Sequence, residues 1–347
     1  MVGIIIPTKN RSGFLIRALR YYRSVNCRHT IYIGDSSSDE QSNQINSYIK
    51  ESCSMLNIVY RRYPELGAAW TAREVVNDVE EEYAVCSGDD DLLIPNSLTY
   101  CETFLSKNKD YSSAHGRAIT LEVEDSPKRF VINAASNYFL GQTELSTAHE
   151  RLSNFLKKYW VVQFSVQRTC GMREAFADIN RFKDQSFTEI LCNCISIVQG
   201  KSKRFDDLHL VRQVHPSRGV LKAGLSWFMN EQFHPSYRVF LEVLAKHLAH
   251  KDNIDRELAQ KLVGEYFVDY LEFSLLHSQI APQRTDFYQL IVNFMRPFKP
   301  LIKSIYYQWR LMFLKDSNIY YLPILLKPTS KYHKDFYPVY KSLTEVS

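Results

Sequence analysis

Residues 83–95 read YAVCSGDDDLLIP, and this stretch decides how the rest of the chain is interpreted. The apolar run before Ser87 is typical of a short buried strand, and it stops at three successive aspartates. Adjacent carboxylates repel one another unless a cation joins them, and oxygen ligands of this kind suit Mg²⁺ or Mn²⁺ together with substrate phosphates. An acidic turn, with Asp91 near the N-terminus of a following helix, explains the same residues without a metal.

Three further strands are predicted upstream of this stretch. Residues 2–6 form a continuous apolar run, as expected for a strand buried on both faces, and residues 30–33 and 57–60 are the next two. Apolar residues at helical spacing separate them, so we expect an α/β fold with a doubly wound, mostly parallel sheet. Ligands bind such sheets at the carboxyl ends of the strands. The residues predicted at that edge are Pro7, Asp35, Asp89, Asp90 and Asp91.

The length, charge and cysteine pattern of the chain exclude several classes of protein. The chain has 347 residues, 45% of them hydrophobic, which is enough for one large domain or two. A net charge of +5, spread along the chain, does not indicate a nucleic-acid partner. The seven cysteines form no C-x-x-C pair, so neither a disulfide framework nor a zinc site is predicted. With no leader-like start and no run of about 18 apolar residues, we expect a cytoplasmic protein.

Four short motifs follow one another at a characteristic spacing, and together they resemble the family 2 glycosyltransferases. These enzymes have the GT-A fold and transfer sugars from nucleotide diphosphates. The resemblance covers roughly the first 100 residues. The motifs are IIPTKNR at 5–11, IGDSSSD at 33–39, LGAAWTAR at 66–73, and the aspartates at 89–91 with Pro95 four residues on.

The resemblance implies a binding site for a nucleotide-sugar donor, most simply a UDP-sugar. Arg73 would lie near the base or the diphosphate, and the aspartates would carry Mn²⁺ or Mg²⁺. Measured back from Pro95, the first Asp of the family's D-x-D motif falls on Gly88, so we expect Asp90 and Asp91 as the metal ligands. The residues expected to bind the donor are Pro7, Thr8, Asn10, Arg11, Asp35, Arg73, Asp89, Asp90 and Arg212.

Glu189 is the candidate catalytic base. It opens a helix predicted from the apolar pattern of residues 186–201, at the place where the resembled family has the carboxylate that deprotonates the acceptor hydroxyl. Asp184, five residues earlier, is the reserve candidate. Alternatively, Glu189 serves only as an acid that complements the helix dipole.

Two residues near the end of the predicted catalytic domain also match the resembled family. The family has an Arg and a His near this point, and Arg212 and His215 match that spacing. By resemblance, Arg212 would bind the donor and His215 would complete the metal shell or touch the diphosphate, whereas a lone histidine otherwise serves a structural role. An imidazole ligand would favour Mn²⁺ over Mg²⁺. We therefore expect a GT-A-like domain over residues 1–218 and a helical C-terminal region over 219–347.

Periodic apolar patterns predict helices elsewhere, at residues 145–159, 227–250, 254–278 and 285–314, and a strand at 160–168. Residues 294–315 combine aromatic and aliphatic side chains with five basic residues and no acid. This mixture is typical of a helix at the surface of an anionic membrane, and it also fits a helix that packs its rings inward. The aromatic-rich helical half offers apolar surface for a homodimer.

The resulting hypothesis is an inverting glycosyltransferase that uses a nucleotide-sugar donor. By resemblance, its acceptor is a saccharide or a lipid-linked saccharide in surface polysaccharide or glycolipid synthesis, at the inner face of the membrane. A nucleotidyltransferase is the second interpretation, although no Gly-rich phosphate loop lies near residue 10. A catalytically idle binding or scaffold protein of the same fold is the third, because Gly88 replaces an expected aspartate and the Asp that accompanies the base in the resembled family is missing beside Glu189.

Overall fold

The computed structural model describes residues 1–126, 129–215, 224–279 and 321–344. Strands and helices alternate through the first part of the chain, as its apolar runs predict. Five of the seven residues of the first strand are buried in succession, which is typical of a strand covered on both faces. The elements are β1 (Val2–Thr8), α1 (Ser12–Ser24), β2 (Thr30–Asp35), α2 (Asp39–Ser52), β3 (Ile58–Arg62), α3 (Ala68–Asp78) and β4 (Tyr83–Cys86).

In the described residues, the second part of the chain adds five strands and four α-helices. Pro95 occupies the first turn of its helix, where its missing N–H costs nothing. The helix that begins at Ala148 starts with a capping box between Thr147 and Glu150. The elements are β5 (Leu92–Leu93), α4 (Pro95–Lys107), β6 (Tyr111–Ser126), β7 (Arg129–Tyr138), α5 (Ala148–Lys157), β8 (Val166–Arg168), α6 (Thr169–Phe176), α7 (Gln185–Gln199) and β9 (Lys201–Val214).

The described strands form one sheet in the order β3-β2-β1-β4-β8-β6-β9-β5, with β7 paired to β6. The β3-β2-β1-β4 part is parallel, which confirms the predicted fold class. Thr8 pairs with Asp35 in the register of β1 and β2, and the Ser87 N–H donates to the Ile5 carbonyl. The loops that follow β1, β2 and β4 therefore leave the sheet at one edge.

The strand predicted at 160–168 is shorter than expected. Residues Val162–Phe164 form a 3-10 turn, and the strand is limited to β8. The amide side chain of Asn193 causes this turn, because its Oδ1 accepts hydrogen bonds from the backbone N–H groups of Val162 and Gln163. A long-range contact to α7 thus overrides the local alternation of apolar residues.

The C-terminal region is helical in the ranges described: α8 (Gly224–Phe228), α9 (Phe233–Asp252), α10 (Arg256–Gln279), α11 (Leu322–Leu325) and α12 (His333–Thr344). The helix predicted at 227–250 is divided near Asn230, whose side chain accepts a hydrogen bond from the Gln232 N–H. The helix predicted at 285–314 and the basic aromatic stretch 294–315 lie outside the described residues. Within the described ranges, no helix is long and apolar enough to cross a membrane.

The helical region shares its core with the sheet region. Helices α9 and α10 pack on α5 and α7. Phe187 of α7 is fully buried, and its ring contacts those of Trp227, Phe233 and Phe267. The C-terminal helices therefore hold α7 in place, and with it the side chains that α7 presents to the sheet edge. The division at 218/219 stays a prediction.

Candidate active site

A cavity of about 340 Å³ opens at the carboxyl edge of the parallel strands. Its wall includes the loop after β1, the start of α3, the aspartate stretch after β4, the 3-10 turn before β8, the end of α6, the N-terminal half of α7 and the end of β9. These segments are far apart in sequence, and the sheet order brings them together. Six residues predicted from the sequence line it: Pro7, Arg11, Asp90, Asp91, Glu189 and Arg212.

Asp90 contacts both an arginine and a histidine at the cavity wall. Arg11 Nη2 lies 2.6 Å from Asp90 Oδ2, and His215 Nε2 lies 2.9 Å from the same oxygen. Burial would raise the pKa of Asp90, but Arg11 and His215 outweigh it and hold the pKa below its usual range. His215 also stacks on the ring of Phe14 at 4.4 Å. Asp90 is therefore held as an anion at the cavity wall.

Asp91 pairs with the second arginine of the site. Arg212 Nε lies 3.2 Å and 3.1 Å from the two carboxylate oxygens. The guanidinium carbon lies 4.6 Å from the ring centroids of both Tyr138 and Phe164. Burial would lower the pKa of Arg212, but Asp91 more than compensates and raises it. The rings thus position a cation beside a buried carboxylate.

Asp89 differs from its two neighbours because its side chain is not part of the cavity wall. Thr8 Oγ1 donates to its Oδ2 at 2.8 Å, and Arg11 Nη1 lies 3.1 Å from its Oδ1. Burial raises the pKa of Asp89 to about 7, although Arg11 opposes the shift. Its contacts tie the loop after β1 to the loop after β4.

Gly88 makes room for the carboxylates. A Cβ atom at this position would lie 2.7 Å from Asp90 Oδ1 and 3.1 Å from Asp91 Oδ2. Both carboxylates are held by arginines, so neither can move away cheaply. The glycine that stands where the resembled family has its first aspartate is therefore a spatial requirement of this arrangement.

Only two of the three predicted metal ligands are arranged to bind a divalent cation. Asp90 and Asp91 offer carboxylate oxygens at the cavity, and Mg²⁺-type sites commonly use one or two carboxylates with substrate phosphates completing the shell. Across the ranges described above, no three His, Cys, Asp or Glu side chains are grouped as a metal site. The two aspartates fit the ion, while His215 contacts Asp90 and Arg11 instead.

Glu189 is half-buried in the first turns of α7 and lines the cavity. Tyr159 donates a hydrogen bond to its Oε1 at 3.1 Å. Asn193 Nδ2 donates to the Tyr159 hydroxyl and to the Glu189 carbonyl. Tyr159 therefore fixes the Glu189 carboxylate, and Asn193 fixes Tyr159. Asp184, the reserve candidate, accepts from the Phe187 N–H as N-cap of α7 and from Trp227 Nε1, which is a structural role.

Besides Asp89 and His215, four predicted residues lie outside the cavity wall. Asp35 is fully buried and accepts hydrogen bonds from Ser37, Ser42 and Tyr60. These bonds hold the pKa of Asp35 below its usual value, although burial acts against them. The remaining three have these contacts: Asn10 bonds Ser37 and Ser38, Arg73 pairs with Glu74, and Thr8 donates to Asp89.

The structure also adds residues to which the sequence analysis assigned no role. The 3-10 turn before β8 and the start of α7 supply uncharged polar and aromatic side chains to the wall. Their types are common everywhere in proteins, so spacing alone could not single them out. They are Gln163, Phe164, Gln185 and Thr188.

No protein-family model and no curated protein sequence matches the chain. Solved structures of S. aureus TarS are similar. One matches with a TM-score of 0.52 and 13% identity over 82% of this chain and 46% of TarS, so the chain spans about half the length of that protein. TarS 1-349 in complex with UDP-GlcNAc matches with a TM-score of 0.52 and 13% identity, over 79% of this chain and 74% of that one. At this identity, the likeness shows a shared fold.

Proposed function

We propose that the chain is an inverting, metal-dependent glycosyltransferase that moves a sugar from a nucleotide-diphosphate donor to an acceptor hydroxyl. The observation that carries the proposal is a single cavity lined both by the Asp90–Asp91 pair with its arginines and by Glu189. Inverting transfer needs both parts, because the leaving group gains negative charge while the attacking hydroxyl loses a proton.

The donor half of the cavity acts on the leaving group. When the bond from sugar C1 to the β-phosphate oxygen breaks, negative charge builds on the nucleoside diphosphate. Arg11 and Arg212 supply positive charge at the wall, and the rings around Arg212 limit its motion. A Mn²⁺ or Mg²⁺ ion held by Asp90 and Asp91 would add Lewis-acid stabilisation of the phosphate oxygens.

The nucleoside end of the donor is assigned to the loops after β1 and β2. Asn10 joins these loops through its hydrogen bonds to Ser37 and Ser38, and its backbone has a φ of 55°, which Asn tolerates well. Asp35 holds the second loop in shape. Arg73 lies on α3, and we assign it to the base or the diphosphate by resemblance.

The acceptor half depends on Glu189. Its carboxylate takes the proton of the acceptor hydroxyl while the hydroxyl oxygen forms the new bond to C1 on the face opposite the leaving group. The hydrogen bond from Tyr159 fixes one carboxylate oxygen. His215 is a positioning residue in this account, because it contacts Asp90 and Arg11.

The identity of the substrates rests on the resemblance and on the comparisons. The likeness to TarS 1-349, which was crystallised with UDP-GlcNAc, supports a UDP-sugar as donor. We propose a saccharide or lipid-linked saccharide as acceptor. Peripheral contact with the inner face of the membrane through residues 294–315, and a homodimer, are proposed from sequence alone.

Two measurements test the function. UDP is titrated into the protein by calorimetry with MnCl₂ and with EDTA, and hydrolysis of UDP-GlcNAc and other UDP-sugars is followed. We expect metal-dependent UDP binding, and in Glu189→Gln retained binding with turnover lower by about 100-fold or more. Glu257→Gln, at an exposed site on α10, is the matched control.

The alternatives give different results in the same experiment. If UDP binds equally well in the presence of EDTA, then Arg11 and Arg212 neutralise the charge of the diphosphate and no metal ion is needed for binding. UDP binding without turnover of any sugar nucleotide would support a binding or scaffold protein. The observation that favours this second candidate is that each of the three aspartates already contacts an arginine.

A further inference from the structure

The guanidinium of Arg11 spans two of the three aspartates at the candidate active site. Its Nη1 lies 3.1 Å from Asp89 Oδ1, and its Nη2 lies 2.6 Å from Asp90 Oδ2 and 3.1 Å from His215 Nε2. The side chains of Asp89 and Asp90 are only 4% and 8% exposed. Arg11 therefore supplies the positive charge that two neighbouring buried carboxylates need.

The two arginines of the cavity wall differ in how firmly they are held. Arg212 lies between the rings of Tyr138 and Phe164, and its side chain is 13% exposed. Arg11 rests on the ring of Phe14, and its side chain is 25% exposed. Its Nε is buried and has no hydrogen-bond partner in the described part of the chain. An unsatisfied donor disfavours this arrangement, so Arg11 is the arginine that exchanges partners more readily.

A divalent cation and Arg11 would compete for the same carboxylate. Asp90 is one of the two aspartates proposed to hold Mn²⁺ or Mg²⁺, and Arg11 already contacts its Oδ2. A carboxylate shared by a metal ion and a guanidinium brings two cations together, and they repel each other. The negative oxygens of a diphosphate remove this repulsion, because Arg11 lines the cavity and its guanidinium suits bidentate pairing with phosphate.

We propose that Arg11 couples the metal site to the donor by exchanging partners, from Asp89 and Asp90 to the diphosphate. This inference rests on the proposed function. Without the donor, Arg11 opposes metal binding at Asp90. With the donor, the same side chain pairs with the diphosphate and leaves the oxygens of Asp90 to the ion. Metal and donor therefore strengthen each other's binding, and by thermodynamic linkage each does so by the same factor.

The experiment measures Mn²⁺ binding and UDP binding to the full chain separately. Mn²⁺ is titrated without nucleotide and followed by the EPR signal of the free ion, and UDP is titrated by calorimetry in saturating MnCl₂. Arg11→Met removes the charge and keeps an unbranched apolar stem, whereas Arg11→Lys keeps a charge without the planar fork that spans both aspartates. Arg20→Met, on the same helix and over the Tyr48 ring, controls for the loss of one positive charge.

We expect Arg11→Met to bind Mn²⁺ at least fivefold more tightly than the wild type, and UDP at least fivefold more weakly. Arg11→Lys should change both affinities in the same directions by smaller factors, and Arg20→Met should change neither. Thermal unfolding establishes which variants are folded. If Arg11→Met does not fold, the direction of the two changes in Arg11→Lys decides.

A residue with a merely structural role would lower both affinities, and a residue that only binds the donor would leave the Mn²⁺ affinity unchanged. Either result for Arg11 overturns the inference, as does an equal rise of Mn²⁺ affinity in Arg20→Met. Absence of Mn²⁺ binding in both the wild type and the Arg11 variants overturns it as well.

The wild-type protein separates this inference from the proposed function. If the wild type does not bind UDP in MnCl₂, the proposed donor site is contradicted. If it binds UDP in MnCl₂ and the Arg11 variants show no gain in Mn²⁺ affinity, only the exchange of partners by Arg11 is contradicted.

Discussion

The hydroxyl of Tyr159 lies 3.1 Å from Oε1 of Glu189 and donates a hydrogen bond to it. The same hydroxyl accepts a hydrogen bond from Asn193 at 2.7 Å. Asn193 lies one helical turn after Glu189 on α7, and its Oδ1 holds the 3-10 turn before β8. Tyr159 therefore positions the candidate base Glu189, and Asn193 in turn fixes Tyr159. Asn193 is itself held on α7 and at the 3-10 turn.

Tyr159→Phe tests this positioning. The substitution keeps the ring and removes the donor to Glu189, so we expect kcat to fall on the order of tenfold, a loss of about 1.4 kcal/mol of transition-state stabilisation. The KM for the donor should stay the same, because the change affects only the acceptor side. Steady-state kinetics of UDP-sugar turnover measure both parameters.

Tyr111→Phe is the control for that experiment. Tyr111 donates to Glu144 and so makes the same type of hydrogen bond, away from the cavity. An equal fall of kcat in both variants would mean that general destabilisation, rather than the position of Glu189, causes the effect.

Gly88→Ala should weaken donor binding. The added Cβ would lie 2.7 Å from Asp90 Oδ1, which forces the carboxylate away from Arg11 and His215. We expect the affinity for UDP in the presence of Mn²⁺ to fall on the order of tenfold, about 1.4 kcal/mol. Calorimetric titration gives the dissociation constant.

The matched control is Gly13→Ala, because a Cβ at Gly13 meets nothing within 4 Å. Gly13 lies in α1, where alanine is the better helix former, so this variant should be as stable as the wild type or more so. Unchanged UDP affinity in Gly88→Ala would show that the carboxylates can move aside without a cost to binding.

Arg212→Met should destabilise the fold unless Asp91 is also changed. Asp91 is 1% exposed, and removing the guanidinium that pairs with it leaves a buried charge poorly compensated. We expect a loss of about 3 kcal/mol in the free energy of unfolding. In Arg212→Met combined with Asp91→Asn, most of this loss should be recovered. Urea unfolding of the two single variants and the double variant measures the coupling, and strictly additive losses would disprove it.

Acid should destabilise the protein through two buried histidines. Burial lowers the pKa of His115 to about 3 and that of His209 to about 4. Their folded-state pKa values lie below the ordinary value, so below about pH 6.5 the unfolded chain takes up protons that the folded chain does not. The two histidines therefore lower the stability as the pH falls from about 6.5 towards 4, each by about 1.4 kcal/mol per pH unit, while Asp89, whose folded-state pKa is about 7, acts in the opposite direction and offsets one of them.

His115→Asn isolates one of these contributions. The amide replaces the ring nitrogen Nδ1, which lies 2.9 Å from Ser165 Oγ. Compared with the wild type, the slope of unfolding free energy against pH near pH 5 should be smaller by about 1.4 kcal/mol per unit. His234→Asn, at an exposed site on α9, is the matched substitution control. Urea unfolding at several pH values between 7 and 4.5 provides the comparison.

The amino-acid sequence by itself determined the alternation of strands and helices from β1 to β4 and the parallel part of the sheet. These follow from local patterns, since a continuous apolar run predicts a buried strand and apolar residues at helical spacing predict the helices between strands. The same reasoning placed the aspartate stretch and Pro7 at the carboxyl edge. Glu189 came from the helix pattern together with the family resemblance, and it lines the same cavity.

Only the tertiary structure decided how these residues are used. Arg11 and His215 are 204 positions apart and meet at Asp90, and no local pattern encodes that contact. The same holds for the rings around Arg212 and for Tyr159 beside Glu189. In the sequence, Gly88 stands where the resembled family has an aspartate. In the structure, the carboxylates of Asp90 and Asp91 occupy the space that a side chain at position 88 would need. Side-chain contacts between distant segments depend on the assembled sheet and helices, and so they become visible only in three dimensions.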